Sequence, residues 1–143
     1  MSTMQVQLGN ATLRNPVILA AGTCGVMGEI SDAIDLSTLG AITTKSITLE
    51  PRAGNEPHRL ADLTVGMINA IGLANEGIES FVSKYAATPR TLDTTIIGSI
   101  AGDSIDAYVK VANAMSDIEG IDLIEVNVSC PNTNDGLEFG SDP

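Results

Sequence analysis

The chain has 143 residues, of which 43% are hydrophobic but only 3% aromatic, with no tryptophan, so a single domain with an aliphatic core is expected. Eighteen acidic residues against seven basic ones give a net charge of −11, which excludes the clustered Lys and Arg that nucleic acid or an anionic membrane surface would require. No apolar stretch is long enough to span a bilayer, and one His among scattered carboxylates offers no metal-ligand spacing.

Residues 5–8 and 12–13, split by Gly9-Asn10, predict a small hairpin. Residues 16–21 form a short apolar run closed by Gly22 and read as a buried strand. Residues 31–39 carry a weak helical pattern with Ser31 or Asp32 as N-cap. Residues 40–44 give the next strand, ending at Lys45-Ser46, and 47–75 are irregular, punctuated by Pro51, Gly54, Pro57, Gly66 and Gly72. Loops of that length in a compact domain are usually functional or mobile. Residues 76–86 predict a helix with Ile78, Phe81, Val82 and Tyr85 on one face. Residues 95–100 give a third strand, and 104–115 the clearest helix, with Ile105, Tyr108, Val109, Ala112 and Met115 in register. Residues 121–128 give the last strand, in which Asp122, Glu125 and Asn127 interrupt apolar residues.

Strands alternating with helices predict right-handed crossovers and a parallel sheet. Four such strands make either a small open sheet or the first half of an eight-stranded α/β barrel, whose full length is typically about 250 residues. In both, ligands bind where the carboxyl ends of the strands share one face. The chemistry-bearing residues fall there: Ala20-Ala21-Gly22-Thr23 after one strand, Lys45-Ser46 after the next, the 69–75 segment in the following loop, and Asn127 to Asn132 at the last. Lys45, Asn69, Asn127, Cys130 and Asn132 can therefore line one pocket for a planar, polar, anionic ligand. Asn side chains offer a donor and an acceptor that match an imide edge. A thiol, with a reference pKa of about 8.5, can serve as a base once ionised. Each residue also has a plainer reading. Cys130 alone reads equally as a buried thiol at a strand end, Lys45 as a solvated lysine, and Asn69 and Asn75 as turn residues. Thr43, Thr44 and Ser99 read as core-edge hydroxyls and Cys24 as a packed small residue. Arg52, His58 and Arg59 either tether the long loop or face water. The start of the chain carries no secretory signal, so a cytoplasmic location with Cys24 and Cys130 as free thiols is expected.

Asn127-Val128-Ser129-Cys130-Pro131-Asn132 resembles the catalytic loop of dihydroorotate dehydrogenases that use cysteine as base. Asn69-Ala70-Ile71-Gly72-Leu73-Ala74-Asn75 is similar to that family's substrate loop, Thr44-Lys45-Ser46 to its flavin-contacting lysine segment, and Ala20-Ala21-Gly22-Thr23 to its first flavin loop. Four motifs in the family's order over nearly the whole chain make the resemblance specific. The cysteine separates it from the membrane-associated, serine-using class, and the wording Gly66-Met67-Ile68-Asn69 is most like the NAD-linked subtype.

The resemblance implies a TIM (β/α)8 barrel of which residues 1–143 are the N-terminal part: a hairpin and the first four strand–helix units. It implies FMN as cofactor and the oxidation of dihydroorotate to orotate in pyrimidine biosynthesis. Cys130 is then the base at C5, with hydride passing from C6 to the flavin. Lys45, Asn69, Asn127, Asn132 and the backbone of Ile71, Gly72 and Leu73 are implied on the substrate side. Ala21, Gly22, Lys45, Ser46 and Asn127 are implied on the flavin side. The implied partners are a second copy of the chain and, for the NAD-linked subtype, an electron-transfer subunit carrying FAD and a 2Fe-2S cluster. Family chains run about twice as far, as a full barrel requires. Their later half supplies another flavin-contacting lysine, a further substrate Asn and the phosphate-binding glycine loops. A fragment or truncated product, inactive alone and with exposed sheet edges, is therefore expected. Two rival readings are a dihydropyrimidine dehydrogenase-type domain, expected to carry His where Asn132 stands, and a non-catalytic half-barrel serving in binding or assembly.

Overall fold

The computed structural model describes residues 4–128. In chain order its strands are β1 (Val6–Leu8), β2 (Ala11–Leu13), β3 (Ile18–Leu19), β4 (Ala41–Thr43), β5 (Leu60–Leu63), β6 (Gly66–Asn69), β7 (Thr95–Ile100) and β8 (Leu123–Val126), with helices α1 (Gly77–Tyr85) and α2 (Ile105–Ser116). The central sheet is wholly parallel, in the order β3-β4-β7-β8, and two antiparallel hairpins, β1-β2 and β5-β6, stand beside it. Successive parallel strands lying side by side are the pattern of a barrel wall rather than of a doubly wound sheet, where the order reverses.

Register divides the sheet residues between two faces. Ala41, Thr43, Ile97, Ser99, Leu123 and Glu125 share one face; Ile42, Ile96, Gly98, Ile100 and Ile124 share the other. The second face takes the helices. Phe81 of α1, Val111 and Met115 of α2 and Ile100 form the largest buried cluster. The first face is closed at the amino end of the strands by Leu13, which packs with Ala41 and Ile97. Arg14 holds that hairpin in place by donating to the carbonyl of Ser37 and to both the carbonyl and the carboxylate of Asp93.

Several elements differ from the expectations above. The strand expected to be buried over 16–21 shrinks to Ile18–Leu19 at the sheet edge, and Val17 and Ile18 are exposed, because β3 has β4 as its single neighbour among the described residues. The helix expected over 31–39 is instead two short 3-10 turns, Glu29–Asp32 and Leu36–Thr38. Neither Ser31 nor Asp32 caps them. Asp35 caps the second, accepting from the Ser37 backbone N–H at 3.0 Å and the Ser37 hydroxyl at 2.6 Å. Such local side-chain bonds compete with helix propagation. The long loop contains the β5-β6 hairpin, whose Thr64-Val65 turn lacks the usual Gly or Asn signal. On α2 the buried stripe is Ala107, Val111 and Met115, while Ile105 (77%) and Val109 (52%) are exposed. Tyr108, Ala112 and Met115 of the expected stripe do pack against the core, and Met115 docks over Gly98 of β7. A Cβ at that position would sit 2.7 Å from the Met115 side chain, so the missing side chain on β7 is the slot that Met115 fills.

Met115→Ala should cost about 2–5 kcal/mol of stability through the cavity it leaves, and Ile105→Ala less than about 0.5 kcal/mol. Urea unfolding of the two variants checks this; equal losses would place the docking face of α2 wrongly.

Candidate active site

The carboxyl ends of β3, β4, β7 and β8 bring four segments together. After β4 the chain stays beside β7: the N–H of Thr44 donates to Ile97, that of Ile47 to Ser99, and that of Ala101 back to Ile47. This carries Lys45 and Ser46 to the rim. The Lys45 N–H in turn donates to the Val26 carbonyl at 2.9 Å, drawing in the loop that follows β3. Gly22 lies there with φ +77°, and a Cβ on it would sit 3.3 Å from Lys45 Nζ, so the lysine side chain runs across a position that only glycine fills without strain.

Beside them is a cavity of about 490 Å³, lined among others by Gly22, Val26, Lys45, Ile47, Arg52, Asn75, Glu76, Phe81 and Tyr85. Its floor is apolar. Neither Lys45 nor Arg52 enters an ion pair among the described residues. The lining carboxylates have partners of their own: Glu29 accepts from the Met27 N–H at 2.7 Å, and Glu76 from Lys84 at 2.6 Å. The Lys84 ammonium holds Glu76 below the usual carboxylate range, with the Ser80 hydroxyl adding to the effect. The cavity thus offers two uncommitted cations above an aliphatic and aromatic base, a setting for a flat anionic group.

The 69–75 segment forms the neighbouring wall. Asn75 anchors it. Its Oδ1 accepts from the N–H of Thr48 at 3.2 Å and of Gly77, the first residue of α1, at 2.9 Å, and its Nδ2 donates to the Leu73 carbonyl at 2.7 Å and to Thr48 Oγ1 at 2.9 Å. Asn55 ties the middle of the loop, its N–H donating to Ile71 and its Nδ2 to Ala70. Gly72 and Leu73 both take positive φ, +74° and +56°. Asn69 ends β6 opposite Leu60 and is exposed. Lys45 and Gly22 therefore share the cavity, whereas Asn69, Ile71, Gly72 and Leu73 are not among its lining residues.

Asn127, just past β8, is fixed at three points. Its N–H donates to the Ile100 carbonyl at 2.9 Å, its carbonyl accepts from the Tyr108 hydroxyl at 2.7 Å, and its Nδ2 donates to Ser46 Oγ at 3.2 Å. Ser46 Oγ lies 2.8 Å from Ser99 Oγ, and Ser99 Oγ donates to Glu125 Oε1 at 2.8 Å. Both serines are buried. Ala21 is half-buried in the loop that carries Gly22. Cys130 and Asn132, with Ser129 and Pro131, lie outside the described residues.

Sequence reasoning assigned no function to Arg52, Tyr108 or Glu125, and placed Asn75 at the end of the 69–75 segment with a turn residue as its plainer reading. Glu125 and Asn127 stand two apart on one strand face, which was a usable signal; Arg52 had none, since its place depends on how the long loop folds back. Cys24 is a free, buried thiol packed with Leu36, Ile42 and Ile96, as its plainer reading had it. Among the described residues no cluster of three or more His, Cys, Asp or Glu could hold a metal ion, and no helix is long and apolar enough to cross a membrane.

Asn75→Ala should free the 70–77 segment, raising its backbone hydrogen exchange and costing about 1–3 kcal/mol through the N–H groups it leaves unpaired. Exchange unchanged there would mean that the loop is held by something other than this amide.

The comparisons with known proteins agree with one another. The profile of the dihydroorotate dehydrogenase family matches residues 3–143. A relative from Desulforudis audaxviator, named dihydroorotate dehydrogenase B (NAD(+)), catalytic subunit, is 42% identical over 139 residues, covering 96% of this chain and 45% of its own. Proteins of the same name from Thermoanaerobacter pseudethanolicus and Thermodesulfovibrio yellowstonii are 43% and 39% identical and are covered over 46% and 48% of their length. The chain thus spans about half the length of the curated relatives it matches. The crystal structure of a dihydroorotate dehydrogenase from Eimeria tenella, in complex with ferulenol, superposes with a TM-score of 0.70 over 93% of this chain and 38% of that one, at 20% identity, which speaks to the fold. The chain belongs to the dihydroorotate dehydrogenase family, and its parallel sheet is part of that family's TIM barrel.

Proposed function

We propose that residues 1–143 are the N-terminal part of an FMN-dependent dihydroorotate dehydrogenase that oxidises dihydroorotate to orotate in pyrimidine biosynthesis. The observation that carries this reading is the meeting of two segments 81 residues apart: Asn127, which opens the Cys130 motif, donates to Ser46 in the lysine segment. The fit to a flavin rests on the cavity that Gly22 and Lys45 line, where the side-chain-free Gly22, the cation of Lys45 and an apolar lining suit a flat ring bearing negative charge. When bound, FMN supplies the acceptor for the hydride that leaves C6 of the substrate.

The chain's own residues divide the remaining work. Ala21, Gly22 and Ser46 form the flavin side. Lys45 places a fixed positive charge between flavin and substrate, favouring the anionic forms of both. Asn69, Asn127 and Asn132, with the backbone of Ile71, Gly72 and Leu73, bind the dihydropyrimidine through its amide and imide edges. Cys130, as thiolate, takes the proton from C5, so that H⁺ and H⁻ leave to different groups. The catalytic-subunit name shared by the relatives supports a partner subunit; in this reading that partner carries FAD and a 2Fe-2S cluster and passes electrons to NAD. A cytoplasmic location and pairing with a second copy belong to the same reading.

Visible absorption of the purified chain mixed with FMN, before and after anaerobic dihydroorotate, tests the assignment. A bound-flavin spectrum that bleaches with dihydroorotate and not with dihydrouracil is the expected outcome for a protein that holds the cofactor. Bleaching by dihydrouracil instead would assign the chain to the dihydropyrimidine dehydrogenase type. In the FMN-loaded protein, Cys130→Ser should lower turnover by about 10²-fold or more; unchanged turnover would remove the thiol from the role of base.

A further inference from the structure

The hydroxyl chain between Glu125 and Asn127 has a direction, and the direction follows from proton counting. A carboxylate only accepts, so the 2.8 Å contact to Glu125 Oε1 takes the Ser99 hydroxyl proton. Ser99 Oγ then has no proton left for Ser46, and the 2.8 Å contact between the serines requires Ser46 to donate. Ser46 Oγ in turn accepts from Asn127, which turns the Nδ2 edge of that amide toward Ser46 at 3.2 Å. Every hydroxyl in the row donates once along it and accepts once. The two serines are buried, at 4% and 0% exposure, so water does not offer an equivalent alternative. The Asn127 backbone is held separately, by Ile100 and by the Tyr108 hydroxyl, so the row acts on the side chain alone.

We infer that Glu125 is a positioning residue that sets the donor–acceptor sense of the Asn127 amide through Ser99 and Ser46. With Nδ2 turned to Ser46, Oδ1 is the accepting edge of the amide, and the group it suits is an N–H donor such as the imide of a dihydropyrimidine or of a flavin ring. A neutral amide in place of the carboxylate can donate to Ser99, which allows the row to reverse and the Asn127 amide to turn over. The identity of the ligand rests on the function proposed above; the sense of the amide does not.

The test reads the amide directly. In the ¹⁵N-labelled full chain, the Asn127 side-chain NH₂ resonances, identified by their loss in Asn127→Asp, are compared with those in Glu125→Gln, Ser99→Ala and the double variant. The expected result is that both single variants move these resonances the same way and that the double variant moves them no further, while backbone amides of 41–43 on the neighbouring strand stay in place. Asn127 resonances that ignore Glu125→Gln, or shifts that simply add in the double variant, would overturn the proposal. If Ser99→Ala fails to fold, Ser46→Ala cuts the row one link closer and is read by the same two outcomes. A parallel orotate titration tests only the ligand reading: absent binding together with coupled amide shifts would sink that reading and leave the role of Glu125 standing.

Discussion

Strand β7 is paired on both sides, with β4 and with β8, and is buried on both faces from Ile96 to Ile100. That double pairing is the constraint from which the rest of the described architecture follows. Parallel neighbours cannot be joined by a tight turn, so each must be reached by a crossover that packs on one side of the sheet. All four strands therefore end at the same rim. Leu13 and Ile97 make the opposite end of the inner face apolar, and the same face turns to hydroxyl and carboxylate groups at Ser99 and Glu125 as it rises. Polarity graded along a strand in this way separates a packed foot from a chemical top without any change of fold.

The edges of the sheet carry a second message. β3 and β8 each have one hydrogen-bonded neighbour among the described residues, and Val17, Ile18, Val126 and Val128 are exposed there. An unpaired parallel edge with apolar side chains is a surface that a closed barrel would cover. The family to which the chain belongs builds such a barrel, and the chain accounts for about half the length of its curated relatives.

Much of the wall was legible in the sequence. The run over β7 was read to the residue, and α1 and the first hairpin within a residue or two, because period and punctuation agree there. Reading failed where two local signals competed or where no local signal exists. On α2 the expected stripe holds at Tyr108, Ala112 and Met115 and fails at Ile105 and Val109, because the elements that bury Ala107 and Val111 instead are distant in sequence. Over 29–38, Asp35 bonds to Ser37 and breaks a pattern that propensity alone would have continued. The β5-β6 turn at Thr64-Val65 has no turn chemistry of its own. For the candidate site, motif order singled out Gly22 and Lys45, which lie together, and Ser46 and Asn127, which are hydrogen-bonded, whereas the places of Arg52, Tyr108 and Asn75 beside them became visible only when residues distant in sequence met. The amide of Asn75 is the plainest case: its partners Thr48 and Gly77 flank a loop that no periodicity describes.

The loop from Ala70 to Asn75 passes through Gly72 and Leu73 with positive φ and is held at its ends and middle by Asn75 and Asn55. Ordering a loop of this kind costs conformational entropy of about 1–2 kcal/mol per residue. Here that cost falls within the folding reaction, where the surrounding pairings share it. A molecule arriving beside Ala74 and Asn75 meets a wall already in shape, and its affinity is not reduced by having to freeze one. The same rigidity narrows what can bind, since a wall fixed before arrival cannot reshape itself around a ligand of different outline.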